Sequence, residues 1–344
     1  MDWKPYDGKE QTQSEPNLNT QIQAEKKPLV ILTGPTAVGK TDLSIRLAKA
    51  INGAVISADS MQVYKGMDIG SAKIMPEEMN GVPHYLVDIL EPSEEFHVVR
   101  FQELAKQAMT EIYANGQIPI VVGGTGFYIQ ALLYDIDFTL QDEDTSLRES
   151  YEKLAAEKGA HWLHEKLCAV DPVSAEIIHE NNIKRVIRAL EFHEKSGRPI
   201  SEHNAEEREK TSPYNFCYFV LNDDRSKIYE RIDRRVDRML KEGLVDEVKT
   251  LRGKGYRKNM VSMQGLGYKE ILSWLDREIT FEEAVYRIKR DTRHFAKRQL
   301  TWFRRERDVI WVDKSVYGCE DALLNFILKK LTDSGILRTA MMIE

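Results

Sequence analysis

Only three cysteines, Cys168, Cys217 and Cys319, are spread over 344 residues. Odd in number and far apart, they make neither a disulfide framework nor a zinc pattern, and a reducing, cytoplasmic setting is expected. Long hydrophobic runs are missing too. Although 42% of the residues are hydrophobic, no run approaches the roughly 18 apolar residues of a membrane span, so no membrane is expected as a partner. The opening segment MDWKPYDGKEQTQSEPNLNTQIQAEKK (1–27) has no hydrophobic stretch. It reads as a disordered polar tail, neither signal peptide nor anchor. An excess of positive charge is also lacking: the formal net charge is −6, and nothing global marks a nucleic-acid binder.

What is present is local. Between Arg287 and Arg307 stand Arg287, Lys289, Arg290, Arg293, Lys297, Arg298, Arg304, Arg305 and Arg307, against only Asp291 and Glu306. At 100° per residue, Arg290, Arg293, Lys297 and Arg304 fall within a stripe of about 60°. Val285, Ile288, Phe295 and Trp302 fall opposite. A helix docked by that aromatic side would display a row of cations suited to a phosphate backbone.

The other local feature is GPTAVGKT, running Gly34, Pro35, Thr36, Ala37, Val38, Gly39, Lys40, Thr41. It fits the phosphate-loop pattern at every required position, between a strand-like run (KPLVILT) and a helical one (DLSIRLAKAI). Backbone N–H groups and the helix N-terminus cradle an anion. Lys40 is expected at terminal phosphate oxygens and Thr41 at Mg²⁺. The loop announces phosphates, but not whose they are or which bond breaks.

Apolar runs resembling buried strands recur at Leu29–Thr33, Ala54–Ser57, Tyr85–Ile89, Pro119–Val122, Phe216–Leu221 and Val309–Val312. Helical patterns such as Phe101–Asn115 separate most of them, which argues for an α/β fold with a parallel sheet covered on both faces. The rhythm breaks between about Phe138 and Glu206, a helices-only stretch. Helical patterns return at Arg225–Lys254, Phe281–Arg305 and Glu320–Leu331. The expected organisation is a tail (1–27), an α/β core (28–138 and 206–315), a helical insertion (139–205) and a C-terminal helix with its tail (316–344).

Phosphoryl transfer wants a carboxylate at a strand end. The strand PIVVGGTG ends in Gly123-Gly124-Thr125-Gly126 without one, whereas Asp59 and Asp88 end the runs AVISAD and HYLVD. Ligands of open α/β sheets bind at strand C-termini, so Asp59, on the strand after the loop's helix, can reach the phosphates. These residues leave open a group-transfer enzyme, a small-molecule or nucleotide kinase, and a non-catalytic RNA-binding module.

Taken together, the motifs resemble the bacterial-type tRNA dimethylallyltransferases, also called tRNA isopentenyltransferases. The resemblance rests on GPTAVGKT, ISADSMQVYKGMDIGSAK, PHYLVDILEPSEEFHVVRF, PIVVGGTGFYIQALL, NIKRVIRALE, RIDRRVDRMLKEGLVDEV, QGLGYKE and DTRHFAKRQLTWFRR, in that order. It implies a nucleotide-kinase-like P-loop domain with a helical insertion. It also implies transfer of a dimethylallyl group from dimethylallyl diphosphate to N6 of adenosine 37 beside the tRNA anticodon, with Mg²⁺ as cofactor. On this resemblance Asp59 is the general base, and Thr36 and Arg235 act on the diphosphate held by residues 34–41. Asp59, Ser60, Met61 and Gln62 line the pocket of a flipped base. Thr125, Arg148, Lys184, Arg185, Val186, Ile187, Arg188, Gly267 and Tyr268 belong with tRNA, as do Arg290, Arg293, Lys297 and Arg298 of the basic helix. A monomer is expected.

Overall fold

The computed structural model describes residues 26–138 and 146–337. The expected tail lies outside them except for Lys26 and Lys27, as do the first residues of the expected insertion. The elements are β1 (Pro28–Thr33), α1 (Lys40–Ile51), β2 (Gly53–Ala58), β3 (His84–Tyr85), α2 (Val98–Ala114), β4 (Ile118–Gly123) and α3 (Gly126–Leu133). Five helices follow: α4 (Ser146–Lys158), α5 (Ala160–Val170), α6 (Pro172–Ile177), α7 (Ile183–Ser196) and α8 (Ile200–Glu209). Then come β5 (Asn215–Asn222), α9 (Arg225–Glu242), α10 (Leu244–Gly253), α11 (Tyr268–Leu275), α12 (Phe281–Phe303), β6 (Val309–Asp313) and α13 (Glu320–Asp333).

The strands form one six-stranded sheet in the order β3-β2-β4-β1-β5-β6, with every pairing parallel. Side chains alternate across a strand, and here both faces are apolar. Leu29 and Ile31 of β1 join the core that also holds Phe101, Ile129 and Ile288. Val30 and Leu32 join the opposite core, with Leu43, Leu47 and Ile327. Burial on both faces explains why the strands read as unbroken apolar runs.

Two elements depart from the sequence reading. The run Tyr85–Ile89 pairs in the sheet only at its start, because Leu86 and Asp88 take φ of 63° and 57°, outside the range of a strand. The pattern Arg225–Lys254 is two helices, broken where Gly243 adopts φ 105°, a conformation glycine takes without a Cβ clash. Helices α4 to α7 gather a small core of their own around Leu163, Leu167, Val186 and Leu190.

Candidate active site

Strand order places the site. The chain leaves β1 for α1 and β2, but β4 lies between those two strands. The C-terminal ends of β2, β4 and β1 therefore bring Asp59, the Gly123–Gly126 turn and the phosphate loop side by side, where such sheets bind ligands. Thr33 Oγ1 donates to the Gly123 carbonyl at 2.7 Å and ties the two strand ends together.

Within the loop, Lys40 Nζ donates to the carbonyls of Gly34 and Pro35, both at 2.9 Å. Ala37 sits at φ 62°, a left-handed conformation that costs a residue bearing a Cβ. Lys40 is partly buried, its ammonium turned onto those loop carbonyls. Burial, with the Arg235 charge adding and the Asp59 charge opposing, lowers its pKa from 10.5 to about 7. Arg235 comes from α9, and its Nη1 is 3.5 Å from Thr36 Oγ1. Burial, then the neighbouring Arg238, pulls its pKa below the usual guanidinium value, against Asp59 and Asp42. Thr36, Lys40, Arg235 and Asp59 thus form one constellation, cationic at the loop and acidic at its edge.

Asp59 also works on its own backbone. Its Oδ1 accepts the Met61 N–H at 2.8 Å and the Gln62 N–H at 3.3 Å. That turn leaves Asp59, Ser60, Met61 and Gln62 partly exposed. Thr125 caps α3 beside it, its N–H reaching the Ala58 carbonyl at 3.3 Å.

Sequence reasoning missed Gln299. This buried side chain accepts the Thr36 N–H at 2.9 Å and donates to the Gly124 carbonyl at 3.0 Å. It staples the phosphate loop to the turn after β4, where a phosphoryl-transfer enzyme would carry an acid. A Cβ at Gly124 would collide with the Gln299 amide, so the glycine is needed for this close approach. A signal was present: Gln299 lies on the apolar arc of α12, among Ile288, Ala296 and Phe303. A polar residue on such an arc demands a buried partner.

Glu247 was missed likewise. It accepts the N–H groups of Asp68 (2.9 Å), Ile69 (2.8 Å) and Gly70 (3.1 Å) and the Tyr268 hydroxyl (2.7 Å). Lys73 is buried and donates to Asp68 and Asp88, each at 2.6 Å. The loop that follows Asp59 is thereby held at its far end. Asp88, the second acid singled out in the sequence, is paired with Lys73 rather than turned to the phosphate loop's lysine.

Several of the expected nucleic-acid contacts are buried in the structure. Val186 and Ile187 are 0% and 2% exposed and belong to the small core of α4 to α7. Gly267 and Tyr268 are buried, with Tyr268 bound to Glu247. Val186, Ile187 and Tyr268 therefore present almost no side-chain surface. Lys184 and Arg185 are exposed, while Arg148 and Arg188 lean on Glu191. The buried side of α12 lies opposite the cationic stripe, as expected, but the stripe is partly spent within the protein. Arg293 Nη1 is 2.5 Å from Asp233 on α9, and Arg290 Nε is 2.7 Å from its neighbour Asp291. Lys297 and Arg298 line an open groove of about 370 Å³ with His294, Thr301, Trp302 and Arg305.

For Mg²⁺, the fit is that of a substrate-bridging ion. No cluster of three or more His, Cys, Asp or Glu suited to a metal occurs among the described residues. Thr41 and Asp42 stand exposed in the first turn of α1 beside Lys40. Mg²⁺ commonly takes one or two protein ligands, with waters and phosphate oxygens completing its shell, and this donor set fits that use.

Comparison with known proteins agrees with this geometry. A family model described as IPP transferase matches residues 62–306, and one described as isopentenyl transferase matches residues 27–92. The chain is 61% identical over 312 residues to a tRNA dimethylallyltransferase of Lachnoclostridium phytofermentans, covering 91% of this chain and 100% of that protein. Among solved structures, the tRNA isopentenylpyrophosphate transferase of Bacillus halodurans is 46% identical with a TM-score of 0.67, over 91% of this chain and 99% of that one. A eukaryotic dimethylallyltransferase acting on tRNA is 30% identical with a TM-score of 0.77, over 90% of this chain and 80% of that one. On this evidence the chain belongs to the IPP transferase family.

Proposed function

We propose that this enzyme transfers a dimethylallyl group from dimethylallyl diphosphate to a tRNA, at N6 of adenosine 37 beside the anticodon, and releases pyrophosphate. The observation that carries the reading is the constellation of Lys40, Arg235 and Thr36 around the phosphate loop, with Asp59 at its edge and Gln299 in place of a strand-end acid. Such a site holds a diphosphate as a leaving group. The end of β4, Gly123-Gly124-Thr125, lacks the acid that phosphoryl-transfer enzymes commonly place there.

The N6 lone pair attacks the allylic carbon and the carbon–oxygen bond breaks, its electron pair leaving on pyrophosphate. Asp59 accepts the amine proton, a role worth roughly 10²–10⁴ in rate. Lys40 and Arg235 neutralise the charge that grows on the diphosphate, and the Thr36 hydroxyl adds a hydrogen bond. Mg²⁺ held by Thr41 would share that neutralisation. The turn Asp59–Gln62 faces the flipped base, and the cations of α4, α7 and α12 hold the anticodon arm.

The test is mass spectrometry of tRNA nucleosides after incubation with dimethylallyl diphosphate and Mg²⁺, run beside labelled ATP. Dimethylallyl label on adenosine is expected. Phosphate label on an acceptor without dimethylallyl label would replace the transferase by a kinase.

A further inference from the structure

The helices α4 to α8 contain a buried carboxylate that the proposed reaction does not use. Glu191 on α7 is 1% exposed. Arg148, on α4, places Nη2 at 3.1 and 3.4 Å from its two oxygens. Arg188 lies one turn back on α7 with Nη1 3.8 Å from Oε2, and Lys195 one turn on with Nζ 3.8 Å from Oε1. Three cations thus face one carboxylate. Both arginine side chains stay partly open to solvent, 47% for Arg148 and 30% for Arg188.

A buried carboxylate is costly unless it is paired. Its neighbours on α7, Ile187 and Leu190, are apolar, so a leucine at this place would extend the core without that cost. What a carboxylate adds is geometry: an arginine fork holds a fixed orientation when one edge is hydrogen-bonded. Its remaining donors then face outward already ordered, and less freedom is lost when they bind phosphate oxygens. The pKa of Arg188 is lowered by burial, an effect Glu191 opposes and Arg148 reinforces, as expected of cations crowded about one acid.

We propose that Glu191 is a positioning residue for tRNA binding, holding Arg148 and Arg188 in the orientation in which they meet the phosphates of the anticodon arm. This rests on the reading of α4 and α7 as a tRNA-holding face.

The sign of one substitution separates positioning from simple charge balance. Glu191→Gln keeps the volume and one acceptor oxygen but removes the negative charge. If Glu191 only offsets its neighbours, the variant is more cationic, binds RNA more tightly and shows a steeper salt dependence. If it positions them, Kd for an unmodified anticodon stem-loop RNA rises about tenfold, and the salt dependence becomes shallower. The loss falls on KM for tRNA and not on KM for the donor, a split that general destabilisation would not produce. In an Arg148→Ala, Arg188→Ala background, Glu191→Gln adds no further loss. Should Glu191→Gln fail to fold, Arg148→Lys keeps a charge beside Glu191 but removes the fork, and is expected to raise Kd several-fold. Unchanged or tighter binding in Glu191→Gln, or unchanged binding in Arg148→Lys, overturns the positioning role. If the double alanine variant itself binds RNA normally, the tRNA-holding reading of this face falls, and the proposal with it.

Discussion

Lys40 makes the donor site sensitive to pH, and the effect has a definite size. Burial, with Arg235 in support, brings the ammonium pKa to about 7. Below that pH the free enzyme carries the cation; above it, Lys40 is increasingly neutral and donates only to the loop carbonyls. A diphosphate favours the protonated form, so binding above pH 7 must take up a proton. For a single site at pKa 7, KM for the donor is about tenfold higher at pH 8 than at pH 6. At pH 8, donor binding takes up about 0.9 proton. Initial rates against donor concentration at saturating tRNA, from pH 6 to 9, measure the first quantity. Calorimetry in two buffers of different ionisation enthalpy measures the second. Lys40→Arg should remove the pH dependence whatever its activity, because a guanidinium stays charged. A flat KM for the wild type, with no proton uptake at pH 8, would refute the assignment of Lys40 to the diphosphate in its neutralised, buried state.

Asp59 both caps a turn and stands as the proposed base, so Asp59→Asn, which keeps an acceptor oxygen for the Met61 N–H, should lower kcat by roughly 10²–10⁴ with tRNA affinity nearly intact. Normal turnover in that variant would remove Asp59 from the chemistry. Gln299→Leu strands the Thr36 N–H and the Gly124 carbonyl. It should cost about 1–3 kcal/mol in thermal or denaturant unfolding and raise KM for the donor; unchanged stability would mean the staple is dispensable. Lys297→Glu should weaken tRNA binding and flatten its salt dependence without changing the melting temperature. Arg293→Glu sets a carboxylate against Asp233 and should lower the melting temperature as well. Equal melting curves for the two variants would show that the Arg293–Asp233 pair does not hold α9 to α12.

The sequence by itself determined the α/β class, because strands buried on both faces must be apolar throughout and the helices between them amphipathic. It determined the phosphate loop, whose glycines, lysine and threonine all lie between Gly34 and Thr41, and the acid ending β2, because a strand end is a local feature. The tertiary structure alone decided which groups are free to act. Arg293 and Arg290 read as exposed cations, yet each meets a carboxylate, and Asp88 reads as a strand-end acid but is held by Lys73. Val186, Ile187 and Tyr268 lie within motifs but inside the protein. Gln299 and Thr36 are 263 residues apart, and only the packing of α12 against the sheet joins them. The physical reason is common to all these cases. Hydropathy and helix period report which face of an element is buried, whereas a hydrogen bond or ion pair depends on what the facing element presents. That is set by strand order and helix packing, over separations where the local pattern carries no information.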